Sequence, residues 1–462
     1  MADPKSSTPA GSQENLVAWM TTGCKPVEKW RVGTEHEKFG FYKKDLKPIP
    51  YDGPVGVEAL LKEMARRFDW TIELEGGRPI ALKHHEAAIT LEPGGQLELS
   101  GAPMKDIHAA KAELDEHLQQ LSLVCRDMGI AFLSIGTQPK WPFTEIPWMP
   151  KGRYRVMREY LPNRGHLSLD MMTRTATVQA NLDFGDEADM VKKFRVSLAL
   201  QPLVTALFAN SPFMDGKPTG FLSYRANIWH YTDPDRCGSL PFVFEKGFGF
   251  ERYVAYALET PMLFFYREGR YQSAGGVPFR EFLAGRHPAL PGVFATFADW
   301  ELHLSSLFPN VRLKRYLETR GADAGNSATL CALPAFWKGI LYHAESLEAC
   351  WEMVKNWTAE ERRLMNEQVA RLALKTPIPG KRTLRDLALE VLLCAMDGLS
   401  DHHCLNAKGC DETVYLKPLM TTAESGVTPA ERLLTAYHGR WGGCVDSVFV
   451  EDEFDSFLAE CG

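Results

Sequence analysis

The chain has 462 residues, with 52 Lys and Arg against 59 Asp and Glu, so its formal net charge is −7. Its 45% hydrophobic and 24% charged residues suit a globular protein with ample material for a core, and its mild acidity argues against non-specific nucleic-acid binding, which needs clustered positive charge. The most apolar long segment, Val196 to Ala209, is about 14 residues, broken by Gln201 and Pro202, and too short to span a bilayer. The polar start MADPKSSTPAGSQEN has no apolar stretch, which argues against a secretory signal or transit peptide. Ten scattered cysteines without CxxC pairs point to a reduced, cytoplasmic protein.

Residues 1–13, rich in Ser, Pro and Gly, predict a disordered tail, and 14–455 predict a single unit with a mostly helical C-terminal part. Val32 to Tyr42, Ile89 to Leu99 and Ala176 to Phe184 alternate in character and predict strands. Ile107, Ala110, Leu114, Leu118, Leu121, Cys125 and Met128 recur at helical spacing and stop at Gly129, a glycine cap. Ile130 to Ile135 then reads as a short buried strand. Asp186 can cap a helix through Phe194 and Leu198 towards Leu207, kinked at Pro202. Thr428-Pro429-Ala430-Glu431 is a capping box opening a helix that ends at Gly439. Strands mixed irregularly with helices predict an α+β fold with a largely antiparallel sheet.

Three segments carry chemistry. In Gly33-Thr34-Glu35-His36-Glu37, a strand puts both carboxylates on one face, roughly 6 to 7 Å apart, where they repel unless a cation intervenes. Alone, such a pair reads as a solvated strand face. In Leu91-Glu92-Pro93-Gly94-Gly95-Gln96-Leu97-Glu98, Gln96 and Glu98 share a face and the Pro-Gly-Gly turn can return Glu92 towards them. Oxygen donors converging from strands, with almost no His or Cys, suit Mg²⁺ or Mn²⁺, which usually bind with a nucleotide's phosphates. In Arg315-Tyr316-Leu317-Glu318-Thr319-Arg320, a carboxylate and a guanidinium share a strand face, an arrangement suited to phosphoryl chemistry or to a plain ion pair. His402, His403, Cys404 and Cys410 match no standard zinc spacing and read as a solvated loop. Without a GxSxG elbow, a covalent hydrolase is disfavoured.

GTEHEKFGF (33–41), LEPGGQLELSGAP (91–103), WMPKGRYRVMREYLP (148–162), DMMTRTATVQANLDF (170–184) and RLKRYLETRGAD (312–323) resemble the plant-type glutamate–cysteine ligases shared by plants and many bacteria. ALFANSPF (206–213), LCALPAFW (330–337) and GVTPAERLL (426–434) extend the resemblance from about Glu14 to Phe454. It implies a glutamine synthetase-like carboxylate–amine ligase fold with a curved antiparallel sheet and surrounding helices. The implied reaction joins the γ-carboxylate of L-glutamate to the amino group of L-cysteine, consuming ATP through an acyl phosphate, as the first step of glutathione synthesis. It also implies Glu35, Glu37, Glu92, Glu98 and Glu318 as ligands of Mg²⁺ or Mn²⁺, with Gln96, Gln179 and Asn181 lining the site. Gln179 stands where more distant ligases of the superfamily have a metal-binding His. Arg320 would stabilise transferred phosphate, Arg225 would hold glutamate or the acyl phosphate, and Trp229 would wall the pocket.

Two departures are informative. The missing plastid extension suits a bacterial, cytoplasmic member. Lys111, Ala274 and Ala289 occupy three of the four positions of the plant regulatory disulfides, leaving Cys331, so thiol control of that kind should be absent. The segment Asp401 to Thr422 is longer and richer in Cys and His than the family leads one to expect. Small-molecule substrates are the expected partners, without nucleic acid or membrane, and the chain is expected as a monomer or a homodimer. The competing readings are a glutamate ligase using another amine, a phosphotransferase on the same fold, and a non-catalytic binding protein.

Overall fold

The alternating segment Val32–Tyr42 forms β1, the strand on which a nine-stranded sheet is built. The structure, a computed structural model, describes residues 8–451. The other strands of this sheet are β2 (Thr71–Glu75), β3 (Arg78–His84), β4 (Ala87–Leu91), β5 (Leu97–Ser100), β6 (Ile130–Leu133), β7 (Thr177–Leu182), β8 (Val311–Leu313) and β9 (Leu317–Asp323). They lie in the order β8-β9-β7-β1-β5-β4-β3-β2, with β6 on the C-terminal half of β1, and all the pairings are antiparallel. The fold is α+β, as the mixed patterning implied.

The segment Ile89 to Leu99 is not one strand but the two arms of a hairpin, β4 and β5. Its turn is closed by the Gly95 N–H donating to the Glu92 carbonyl at 2.9 Å, and Gly95 sits at φ +86°, a conformation a side chain disfavours. Further on, Asp186 caps Glu187–Ala199, but the helix stops at Leu200 and a second one, Gln201–Leu207, begins. Pro202 lies in the first turn of that second helix, where its missing N–H has no partner to lose, so it starts a helix rather than kinking one.

One face of the sheet is covered by Ile107–Met128 and Ser327–Leu341, which pack against β1. Asp106 caps the first helix through the Ala109 N–H, and Gly129, left-handed at φ +65°, ends it. Its Leu114, Leu118 and Leu121 stripe is buried in the main core. From Ser327 the described chain is mainly helical, and the capping box at Thr428 and Glu431 opens Pro429–His438 as its sequence requires.

Two expectations are corrected. The tail is packed from residue 8 onward: Pro9 bridges Thr296, Ala10 is fully buried and Ser12 caps the helix Gln13–Thr21. Residues 1–7 and 452–455 lie outside the described part. The segment after Asp401 is not simply a solvated loop. Buried Glu412 accepts the Ile107 N–H at 2.6 Å and pairs with Lys338 at 2.5 Å, and His108 hydrogen-bonds Tyr415 and the Cys404 carbonyl, so the segment is strapped onto two helices. Among the described residues no helix is long and apolar enough to cross a membrane.

Candidate active site

The sheet face opposite the helices carries the acidic residues. Strand alternation puts Glu35 and Glu37 on it together, and the register brings neighbours to each. Glu37 stands directly across from Glu98 on β5, Glu35 from Gln179 on β7, and Asn181 from Glu318 on β9. Glu92 enters from the β4–β5 turn. Glu35, Glu37, Glu92, Glu98 and Gln179, with Arg153, Arg225, Arg312, Lys314 and Arg320, line a cavity of about 240 Å³. Glu318 and Asn181 stand just behind that lining, Glu318 paired with Arg312, Lys314 and Arg320 and Asn181 donating to Glu35. The structure thus brings the five glutamates of the sequence analysis to one place.

The carboxylates there do not share one environment. Glu318, fully buried, is held by Arg312 at 2.6 Å, by Lys314 at 3.1 Å and by Arg320. Burial alone would raise its carboxyl, yet Arg312, Lys314 and Arg320 hold it well below the usual carboxylate range. Glu37, Glu98 and Glu35 have no ion pair of this kind. Burial first, then Glu92 and Glu98, push the Glu37 carboxyl well up; burial and then Glu92 raise Glu98. Glu35 is pushed up to about 7 by burial, then by Glu318 and Glu98. Their hydrogen bonds come from neutral donors: Asn181 to Glu35 at 2.8 Å, the Thr177 N–H to Glu37 at 3.1 Å, Thr90 and Ser100 to Glu98 at 2.6 and 3.1 Å. Glu92 is also raised by burial, with Lys151 and Arg153 opposing.

Arg320 owes its aim to a bulge: the β9–β7 register shifts between Thr319 and Ala322, which turns Arg320 towards both Glu318 and Gln179. Arg225 lies in the first turn of the helix Tyr224–His230 and donates to the Arg320 carbonyl at 2.9 Å. Its Nε is buried without a partner. Trp229, one turn on, packs edge-on against Phe308, with ring centroids 5.9 Å apart, and both arginines lie over the Trp229 ring. A second, more apolar cavity of about 500 Å³ begins at this wall, sharing Arg225, Trp229, Phe308 and Arg320 with the first.

Gln96 does not offer its amide to the cavity it lines. Its nitrogen donates to the Met172 and Thr175 carbonyls and its oxygen accepts from Gly94, so it locks the Pro-Gly-Gly turn against the segment before β7. Sequence reasoning missed Arg153, Arg312 and Lys314. The basic runs Lys151-Gly152-Arg153 and Arg312-Leu313-Lys314-Arg315 were the available signal, but only the β8–β9 hairpin, with Arg312 across from Glu318, gives it meaning.

Among the described residues no three His, Cys, Asp or Glu groups converge as a ready-made metal cage. The donor chemistry nevertheless fits a hard divalent cation completed by phosphate oxygens and water: buried, mutually repelling carboxylates and the unpartnered Asn181 Oδ1, with oxygen donors throughout. His402, His403, Cys404 and Cys410 form no such site either.

The chain matches the family model described as glutamate-cysteine ligase family 2 over residues 31–451. It is 52% identical over 440 residues to the chloroplastic glutamate–cysteine ligases of Brassica juncea and Arabidopsis thaliana, covering 95% of this chain and 84% and 82% of theirs. The crystal structure of glutamate–cysteine ligase from Francisella tularensis in complex with AMP shares the fold at a TM-score of 0.53 and 13% identity, over 90% of this chain and 86% of that one. With a cavity built from the motifs that carry the resemblance, and a match along nearly the whole chain, the protein belongs to glutamate–cysteine ligase family 2.

Proposed function

We propose that the chain joins the γ-carboxylate of L-glutamate to the amino group of L-cysteine at the expense of ATP, through γ-glutamyl phosphate. A γ-carboxylate oxygen attacks the terminal phosphorus of ATP and ADP leaves. The cysteine amine then attacks the acyl carbon, inorganic phosphate leaves and the amine gives up a proton. One observation carries this reading: a single cavity sets uncompensated carboxylates beside the cluster Arg312, Lys314 and Arg320. Phosphoryl transfer between two anions needs such a division, because charge must be cancelled on both the nucleophile and the phosphate.

Glu35, Glu37, Glu92 and Glu98 would hold Mg²⁺ or Mn²⁺, with Glu318 joining them once phosphate draws its cations away. The metal would supply charge neutralisation at the transferring oxygens. Arg320, with its planar fork, binds two phosphoryl oxygens as their charge grows. Arg225 holds the glutamate carboxylate or the acyl phosphate, and Trp229 and Phe308 keep water from it. Gln179 orients Arg320 by accepting from its guanidinium, and Asn181 fixes Glu35. The same reading places the chain in the cytoplasm, supported by cysteines that form no disulfide among the described residues. Every residue named here comes from one copy, so monomer and homodimer are both compatible.

ADP release with glutamate alone, then with cysteine, 2-aminobutyrate or glycine added, tests the assignment. Strong stimulation by cysteine is expected. Turnover that no amine stimulates would contradict it, and a stable phosphorylated product made without an amine would assign a phosphotransferase instead.

A further inference from the structure

β9 carries three charged side chains, Glu318, Arg320 and Asp323. Glu318 and Arg320 serve the cavity; the third, Asp323, lies beyond it and is only 1% exposed. Its Oδ2 accepts from the Asn210 N–H at 2.9 Å and from the Ser211 hydroxyl at 2.6 Å, and its Oδ1 accepts from the Ser223 hydroxyl at 2.9 Å. Each serine hydroxyl has one proton, and both protons are committed to Asp323. The hydroxyl oxygens are thereby turned to accept elsewhere: Ser211 from the Arg225 N–H at 3.1 Å, and Ser223, the N-cap, from the Ala226 N–H at 3.2 Å. Asp323 thus fixes the first turn of the helix bearing Arg225 and Trp229.

Two further contacts make the arrangement stiff. Gly136 packs so closely that a Cβ there would fall 2.6 Å from the Asp323 Cβ. The Arg225 side chain reaches back to the Arg320 carbonyl, three residues before Asp323 on the same strand. We infer that Asp323 is a positioning residue for the ligation: through Ser211 and Ser223 it sets the Arg225 guanidinium against its anionic substrate and ties that placement to the strand carrying Arg320. This rests on the role proposed above for Arg225. An ionised carboxylate is required, because only an acceptor at both oxygens can take these three donors. Asparagine keeps the shape but turns one acceptor into a donor that faces a hydroxyl already giving its oxygen to the helix.

The test is a double-mutant cycle on the full chain, read as kcat and KM for glutamate. Asp323→Asn should lower kcat/KM by roughly 10- to 100-fold, the scale of a misplaced binding group. In an Arg225→Ala background the same change should cost little more, because the group it positions is gone. Losses that multiply independently in the double variant would overturn the inference and leave Asp323 a packing residue. Should Asp323→Asn not fold, Ser223→Ala and Ser223→Thr decide: activity lost in the first and restored in the second supports it, and equal activity in both overturns it. Arg225→Ala with unaltered kinetics would instead remove the Arg225 assignment itself, a result distinct from an impaired Arg225→Ala beside a fully active Asp323→Asn.

Discussion

The two ends of the carboxylate cavity are built from the same residue type and behave as opposites. At the β9 end Glu318 is surrounded by Arg312, Lys314 and Arg320, and the local charge is positive. At the β1–β5 end Glu37 faces Glu98 with hydrogen bonds only from hydroxyl and backbone donors and no ion pair. Arg225 and Arg320 act on Glu37, and Lys151 on Glu98, only from a distance and without offsetting burial. A buried carboxylate with cations around it is settled, whereas a buried pair without them is a strain that a bound cation relieves. On the proposed reading, the difference assigns each charge its end: anionic oxygens would sit at the first and a divalent cation at the second.

The largest expected effect breaks the cationic end. Arg320→Lys keeps the charge and loses the fork, so turnover should fall by about 10² to 10³ with the apparent affinity for ATP changing much less. Steady-state kinetics beside a melting curve checks this; near-normal turnover would reduce Arg320 to a partner of Glu318. At the other end, Glu98→Gln keeps shape but removes a repelling charge. Activity should drop sharply and demand more Mg²⁺, while metal-free thermal stability holds or rises. A variant that unfolds with unchanged activity per folded molecule would make Glu98 structural.

A gentler probe of the same end is pH. A carboxyl whose folded-state pKa stands above its unfolded value favours the fold while protonated and opposes it once ionised. Glu35, pushed from 4.5 up to about 7 by burial, Glu318 and Glu98, therefore costs stability as pH rises through that window. Metal-free protein should melt at a lower temperature at pH 8 than at pH 6, and Glu98→Gln should flatten the slope. A metal-free melting temperature that rises over that interval would mean the pair is already compensated. The smallest effect expected is from reductant. With Lys111 paired to Asp115 and alanines at 274 and 289, dithiothreitol should leave activity nearly unchanged, and a large reversible loss would contradict this.

How much of this the sequence revealed follows from how local each signal is. Glu35 and Glu37 were legible because strand alternation alone puts them on one face, and Gln96-Leu97-Glu98 because one leucine separates two polar residues. The helix from Ile107 to its cap at Gly129 was legible for the same reason. Arg312 and Lys314 were not, since their meaning depends on a hairpin register that puts Arg312 across from Glu318. Gln96 read as a residue lining the site, and it does line the cavity, but its amide locks the turn instead, which was not legible because the carbonyls that take its protons, Met172 and Thr175, are distant in sequence. The strap after Asp401 was opaque because its anchor, Glu412, meets Ile107 and Lys338 only once the helices have packed.

Manganese binding measured by electron paramagnetic resonance tests the contrast between the two ends most directly. At neutral pH with a non-hydrolysable ATP analogue, the wild type should hold Mn²⁺ and Glu37→Gln should bind it at least about tenfold more weakly, with the fold intact by circular dichroism. Equal Mn²⁺ affinity in the two proteins would mean that the uncompensated carboxylates are not the cation site.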